Sequence, residues 1–455
     1  MKHRSVLNNP GVQLGVFAGL ALLCAAGTSA PAADSPQRPN IILCMTDDQG
    51  WGDVGYNGLT KIATPNLDAM AAAGLRLDRF YAQPSCSPTR AGIMTGRHSN
   101  RMGVFFPGMP IRTHECTIAQ LLQQAGYRTG HFGKWHLNGV SGPGKVIKAD
   151  DPCSPLRLGF DESFSVSNYF ETDWTFSRNG VAEKTTGDGS EVIAAEALKF
   201  IRKAAADRRP FFAVVWFGSP HVPHKPLPAD LAAAGGSGYY GELLAVDRSV
   251  GALRSGLREL AVADHTLLWF NSDNGGWLQA GKPDAHGTNK DLRGCKGQVW
   301  EGGIRVPCVI EWPAVIKKPA TSAVPAATLD IFPTLAEITG VKPAKPVPLD
   351  GVSLLPLLEG RMNERPRPFG SWQFNGNAAK ISSNSGPSAW IDNRYKLVKP
   401  GADRWELYDL TEDRGERNDL AARQPEVLER MKSELETWQQ SVIRSFRGED
   451  YPASR

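Results

Sequence analysis

Unbroken hydrophobic runs alternate along this chain with stretches that are apolar on one side only. Residues 40–46 (NIILCMT), 211–217 (FFAVVWF) and 266–271 (TLLWFN) run almost without a polar position, and polar residues follow each. A strand apolar on both sides has to be covered on both faces, as in the parallel sheets of α/β proteins. Residues 127–132 and 305–312 read as further strands. Between them, helices are predicted over residues 65–73, 117–125, 191–206, 240–260 and 330–339. Thr64 stands at the N-cap of the first, Gly74 at its C′ position, and Gly126 closes the second. This alternation predicts an α/β fold, a large mixed and mostly parallel sheet sandwiched by helices.

The pattern changes twice. Residues 138–189 are rich in Gly, Pro and Ser and read as one long irregular segment, the kind of loop that usually carries function. Past residue 361 come short strand-like runs at 366–374, 389–393, 395–399 and 405–410, then an amphipathic helix over 425–443. They predict a smaller C-terminal antiparallel sheet plus helix. The polar residues that end the long strands matter more. Asp47 and Asp48, Lys134 and His136, His221, and Asp273 with Asn274 all fall just past the C-terminal end of a different strand. Ligands of open α/β sheets bind outside those ends, so one shared site is the economical expectation.

Composition adds the setting. Lys2 and Arg4, an apolar stretch over 14–26 and small residues up to Ala33 read as a secretory signal peptide, cleaved near Ala32 or Ala33. The protein is therefore expected to be exported, to the periplasm or the extracellular space. Later stretches are too short and too interrupted for a transmembrane span. Without the leader the formal charge falls from +4 to +2, and no Lys/Arg block suggests nucleic acid. Of seven cysteines, Cys24 lies in the leader, and the others show neither C-x-x-C spacing nor a disulfide framework.

Candidate chemistry centres on Cys86, which stands in a Ser/Pro-rich turn at the start of a predicted helix. Unsatisfied N–H groups there favour an anion, and Arg90 lies one turn further along the same face. Asp47, Asp48, Asp273 and Asn274 offer only oxygen donors, as a hard cation such as Ca²⁺ prefers.

The text around Cys86, CSPTR followed by AGIMTGR, resembles the signature of the type I sulfatases of the alkaline phosphatase superfamily. Further matching blocks follow in family order: PNIILCMTDDQGWGD, TPNLDAMAAAG, GYRTGHFGKWHLNG, SPHVPH, NSDNGG, LRGCKGQVWEGGIRVP and LYDLTEDRGERNDL. The resemblance implies an alkaline-phosphatase-like fold and an exported sulfuric ester hydrolase. It implies that a formylglycine-generating enzyme oxidises Cys86 to Cα-formylglycine, one hydroxyl of whose hydrate attacks sulfur while the other later expels sulfate. One Ca²⁺ would be held by Asp47, Asp48, Asp273, Asn274 and the modified Cys86. Arg90 would support the nucleophile, Lys134 and Lys296 would bind sulfate, His136 would assist elimination, and His221 would protonate the leaving group, a role it would share with Lys296. Asn274 favours calcium over the zinc site of related phosphatases, which tend to have histidine there. The division expected is 1–33 signal peptide, 34–360 catalytic domain and 361–455 C-terminal subdomain.

The other histidines, His98, His114, His131, His224, His265 and His286, receive no chemical role. Cys295 and Asp291 depart from the family pattern and are expected near the pocket. Tyr169, Phe170, Trp174, Trp277, Trp372 and Trp390 are candidates to face a sulfated saccharide. Two other readings stay open at this point: a phosphate or phosphonate ester hydrolase of the same superfamily, and a sulfated-glycan binding protein without catalysis.

Overall fold

Alternate residues of the central strands feed two different cores, and this explains why those strands are hydrophobic without interruption. Ile41, Leu43 and Met45 join Phe212, Val214, Trp216, Leu267 and Trp269 on one side of the sheet. Ile42 and Cys44 join Phe132, Ala213, Val215, Leu268 and Phe270 on the other. The helices Gly189–Ala206 and Gly238–Glu259 cover the second side through Ile193, Ala197, Val246 and Val250, while Cys86–Thr95 and Ile331–Thr339 cover the first. The computed structural model describes residues 38–140, 145–278, 287–374, 376–383, 385–401 and 403–451. The expected leader at 1–33 and His286 lie outside the described residues.

Ten strands form the main sheet, in the order Ala320–Ser322, Leu75–Leu77, Cys308–Glu311, Thr266–Ser272, Asn40–Thr46, Phe211–Trp216, Arg128–Lys134, Glu162–Val166, Thr175–Arg178 and Val181–Lys184. The five from Thr266–Ser272 to Glu162–Val166 are parallel, and the flanking pairs are mostly antiparallel. Register places the strand ends together: Thr46 stands opposite Ser272, and Trp216 opposite both Met45 and Gly133. The residues that follow these positions therefore emerge at one edge. The C-terminal sheet is also as expected, four antiparallel strands followed by the helix Pro425–Phe446. The residues from Arg38 onward cluster as one compact unit.

Three local expectations need correction. Within residues 138–189, the strands Glu162–Val166, Thr175–Arg178 and Val181–Lys184 extend the main sheet rather than forming a loop. Residues 305–312 are two strands broken at Pro307, which has no N–H to donate: Arg305–Val306 pairs with Phe80–Tyr81, and Cys308–Glu311 joins the main sheet. Helix Pro228–Ala233 had no expectation. Gly74 is extended (φ −123°) rather than left-handed, and a Cβ there would lie 2.2 Å from the carbonyl oxygen of Ile310. Close backbone approach, not turn geometry, requires that glycine.

Candidate active site

The strand ends and one helix start assemble the site. Asp47 and Asp273 leave adjacent parallel strands one residue past the Thr46–Ser272 pair, and Asp273 donates its N–H to the Thr46 carbonyl at 3.1 Å. Cys86 opens helix Cys86–Thr95 and is buried. Two hydroxyls fix that helix start. Ser87 Oγ donates to the His136 carbonyl (2.7 Å), and Thr89 Oγ1 donates to the Asp273 carbonyl (2.6 Å). The sequence reading missed both; their only signal is a hydroxyl at the first and third positions after the cysteine.

Arg90 is wholly buried and acts as a hub. One Nη2 reaches Asp47 Oδ2 at 2.8 Å and Asp273 Oδ2 at 3.0 Å, while Nη1 donates to the Lys134 carbonyl at 2.8 Å. Lys134 Nζ lies 2.5 Å from Asp47 Oδ2. Lys296 Nζ reaches Asp48 at 2.6 and 2.7 Å, and Asn274 Nδ2 donates to Asp48 Oδ1 at 2.7 Å. His221 Nε2 lies 3.8 Å from Asp48 Oδ2. Eight of the ten expected residues are thus joined by direct side-chain or backbone contacts, the Asp48 N–H donating to Asp273 Oδ1 at 3.1 Å between the two groups, and His136 is linked through the bond from Ser87 to its carbonyl. Cys86 is tied to them by charge: burial pushes its thiol up, while Lys134 and Lys296 pull it down.

Charge balance sets the protonation states. Burial pushes the Asp47 carboxyl up, but Lys134, His221, Arg90 and Lys296 together outweigh it and hold Asp47 well below the carboxylate range. Asp273 goes the other way, raised by burial and by the adjacent charge of Asp47. Burial pulls Lys296 down, yet Asp48, Cys86 and Asp47 overcompensate and keep it protonated. Burial depresses His221 to about 4, and burial with Lys134 and Arg90 holds His136 well below the usual imidazole range. His221 Nδ1 lies 2.5 Å from the Val222 carbonyl, an acceptor only, so Nδ1 carries the proton and the unprotonated Nε2 faces Asp48.

The residues fit a hard cation. Asp47 Oδ1 and Asn274 Oδ1 are buried without a hydrogen-bond partner, although buried acceptors are nearly always satisfied. Single ligand atoms of Asp47, Asp48 and His221 lie within 4.8 Å of one another. Three carboxylates crowded together, with two oxygens unclaimed, make an oxygen-donor set for a divalent ion.

Elsewhere several expectations change. Phe170, Trp372 and Trp390 are core residues, because Phe176 packs on the first and Trp438 on the other two. They cannot face a cleft. Tyr169 lies nearly parallel to the His221 ring, with centroids 5.7 Å apart and an 11° interplanar angle. Trp277 is half-buried. His131 is enclosed by Trp135, Phe160 and Trp216. Asp291 pairs with Arg414 at 2.8 Å and lines a surface cleft with Asp78, Arg79 and Arg305 that contains none of the ten residues.

Comparison with known proteins gives this geometry its relatives. A family model described as Sulfatase matches residues 39–341, and one described as N-sulphoglucosamine sulphohydrolase, C-terminal, matches 295–441. The chain is 34% identical over 387 residues to N-acetylgalactosamine-6-sulfatase of Sus scrofa, covering 76% of this chain and 71% of that protein. It is 32% identical over 396 residues to arylsulfatase G of Canis lupus familiaris, covering 77% and 71%. The structure of Ps i-CgsB in complex with k-i-k-neocarrahexaose superposes with a TM-score of 0.79 at 30% identity, covering 89% of this chain and 93% of that one.

Proposed function

The chain belongs to the sulfatase family and is a sulfuric ester hydrolase; on that premise we propose that it is an exported enzyme that desulfates a saccharide, using formylglycine made from Cys86 and one calcium ion. The observation that carries this reading is the pair of unclaimed buried oxygens, Asp47 Oδ1 and Asn274 Oδ1, beside a buried Cys86. The saccharide is favoured by relatives whose names or bound ligands are saccharide-based. Asp47, Asp48, Asp273 and Asn274 would hold the ion, and we retain residues 34–360 as the catalytic domain with 361–455 as its C-terminal subdomain.

When bound, calcium would supply positive charge that polarises the sulfate and lowers the pKa of a coordinated hydroxyl. The hydrated aldehyde at position 86 would supply two hydroxyls on one carbon, which a plain thiol lacks. The chain's own residues do the rest. Lys134 and Lys296 would place fixed positive donors where sulfate charge develops, in a largely buried site open on one side. Arg90 ties Asp47 and Asp273 to the helix that carries Cys86, so the acids and the nucleophile keep one geometry. His136 Nδ1 is buried and unclaimed, and the charge of a bound anion offsets the burial and the neighbouring cations that otherwise keep it from taking a proton. Lys296 is already protonated, whereas His221 gains its proton once an anion arrives beside it and raises its pKa.

The test is to assay sulfated saccharides, an aryl sulfate and a phosphate monoester side by side on protein from a host with the converting enzyme. Mass spectrometry of the peptide containing Cys86 accompanies it. Sulfate ester turnover with residue 86 as formylglycine is expected. Preference for the phosphate ester, or full activity with an unmodified thiol, overturns the mechanism.

A further inference from the structure

We propose that Phe106 and Tyr169 form an aromatic rim that grips the sugar ring carrying the sulfate. The inference rests on the saccharide reading above. Phe106 is 40% exposed, one of three large hydrophobic side chains exposed among the described residues; Val181 and Leu231, the other two, sit on the edge strand Val181–Lys184 and the helix Pro228–Ala233. Single exposed apolar residues are common and mean little by themselves. What sets Phe106 apart is how firmly its turn is held, and where.

Its neighbour Phe105 is buried against Phe374 and Phe446, with ring centroids 4.8 and 5.3 Å apart. The turn closes with the N–H of Met109 on the Phe106 carbonyl at 3.3 Å. Gly108 then donates its N–H to Ser87 Oγ at 2.7 Å, the same hydroxyl that bonds the His136 carbonyl. A Cβ at Gly108 would stand 3.5 Å from His136 Nε2, so the turn abuts the edge of that imidazole. Phe106 is therefore presented to solvent at the margin of the site by a braced turn.

Tyr169 repeats the arrangement beside His221. Its ring stacks on the His221 imidazole and meets Trp174 at 6.0 Å. Its neighbour Phe170 is buried so closely under Gly189 and Gly218 that a Cβ at either would lie 2.5 or 3.0 Å from the phenyl ring. In both places a buried phenylalanine anchors the backbone and the adjacent aromatic is left at the margin. Aromatic faces carry a negative quadrupole that favours contact with the weakly positive C–H faces of a pyranose.

The test measures KM for sulfated galactose, N-acetylgalactosamine and glucosamine, and the competitive Ki of inorganic sulfate, which occupies only the anion side. In Phe106→Ala and Tyr169→Ala, KM for the saccharide should rise about 3- to 10-fold relative to the sulfate Ki. Phe106→Tyr should restore the ratio and Phe106→Leu should not, because leucine fills space without an aromatic face. If KM and sulfate Ki move together, or if neither moves, the rim is disproved. If the wild type turns over a simple aryl sulfate but no sulfated saccharide, the saccharide reading fails, and the rim fails with it.

Discussion

Lys134 and Lys396 are both fully buried lysines held by carboxylates, and the two regions around them differ in a way that burial alone does not reveal. Lys396 joins the C-terminal sheet to the main body through Glu301 at 2.9 Å and Glu416 at 2.8 Å. Every carboxylate oxygen of these two glutamates lies in an ion pair or accepts a hydrogen bond, Glu416 Oε1 through its ion pair with Lys396 alone. Glu301 Oε2 receives Tyr81 and Arg305, and Glu416 Oε2 receives the N–H of Glu301. Around Lys134, Asp47 keeps one oxygen unclaimed, and so does Asn274. Left-handed backbone does not separate the two, since Asp48 (φ 65°), His136 (φ 57°) and Glu416 (φ 54°) all adopt it. Access does. Lys296 and His221 keep 17% and 18% of their side chains open, whereas Lys396, Glu301 and Glu416 keep none. A buried charge cluster that satisfies itself holds a structure together; one left short of partners and open on one side is ready for a ligand.

Matched substitutions should break the comparison most clearly. Lys134→Met is expected to lower kcat by ~10²-fold or more, the scale of losing one preorganised donor, with a modest change in unfolding free energy. Lys396→Met should do the reverse: it leaves the buried Glu416 carboxylate without a cation and Glu301 with Arg305 alone, and costs about 3–5 kcal/mol in denaturant unfolding, while the folded fraction keeps its kcat. Similar stability losses from both would erase the distinction.

Calcium should act on one cluster only. Chelation is expected to abolish turnover, and calcium at about 100-fold its Kd should stabilise the wild type by ~2.7 kcal/mol. Lys396→Met should show the same increment by thermal unfolding, and Asp47→Asn should lose most of it. An equal response in Asp47→Asn would place the ion elsewhere.

Leaving-group dependence sharpens the role of the open side. His221→Ala is expected to slow alkyl-type sulfate esters by ~10²-fold and activated aryl sulfates far less. Equal losses would mean that His221 only positions the substrate.

The smallest effect concerns the closed interior. His98 is buried beside Asp350 and Arg101, and burial depresses it from 6.5 to about 3. Its unfolded form takes up a proton that the folded form refuses. Stability should therefore fall as pH drops below about 6.5, by at most roughly 1.4 kcal/mol per pH unit, and level off near 3. His98→Gln should flatten that slope in pH-dependent unfolding without changing the pH profile of kcat.

The misreadings share one cause. Residues 162–184 lack a long apolar run: Phe164 and Phe176 alternate with Ser163, Ser165 and Ser177, and the strands are four or five residues long. Their identity comes from pairing with Arg128–Lys134 and with one another, a contact no local window contains. Trp372 and Trp390 likewise looked available because their cover, Trp438, arrives from a helix dozens of residues later.

What the linear chain determined by itself was whatever repeats at short range. Both-face hydrophobicity identified the central strands, and polar residues at their ends marked the edge where Asp47, Lys134, His221 and Asp273 emerge. The tertiary structure decided which of those groups are satisfied. Asp47 is shared by Arg90 and Lys134, Asp48 by Lys296 and Asn274, and two oxygens are left over. Hydrogen-bond satisfaction is a property of distances between residues 43 to 248 positions apart, so spacing along the sequence does not encode it.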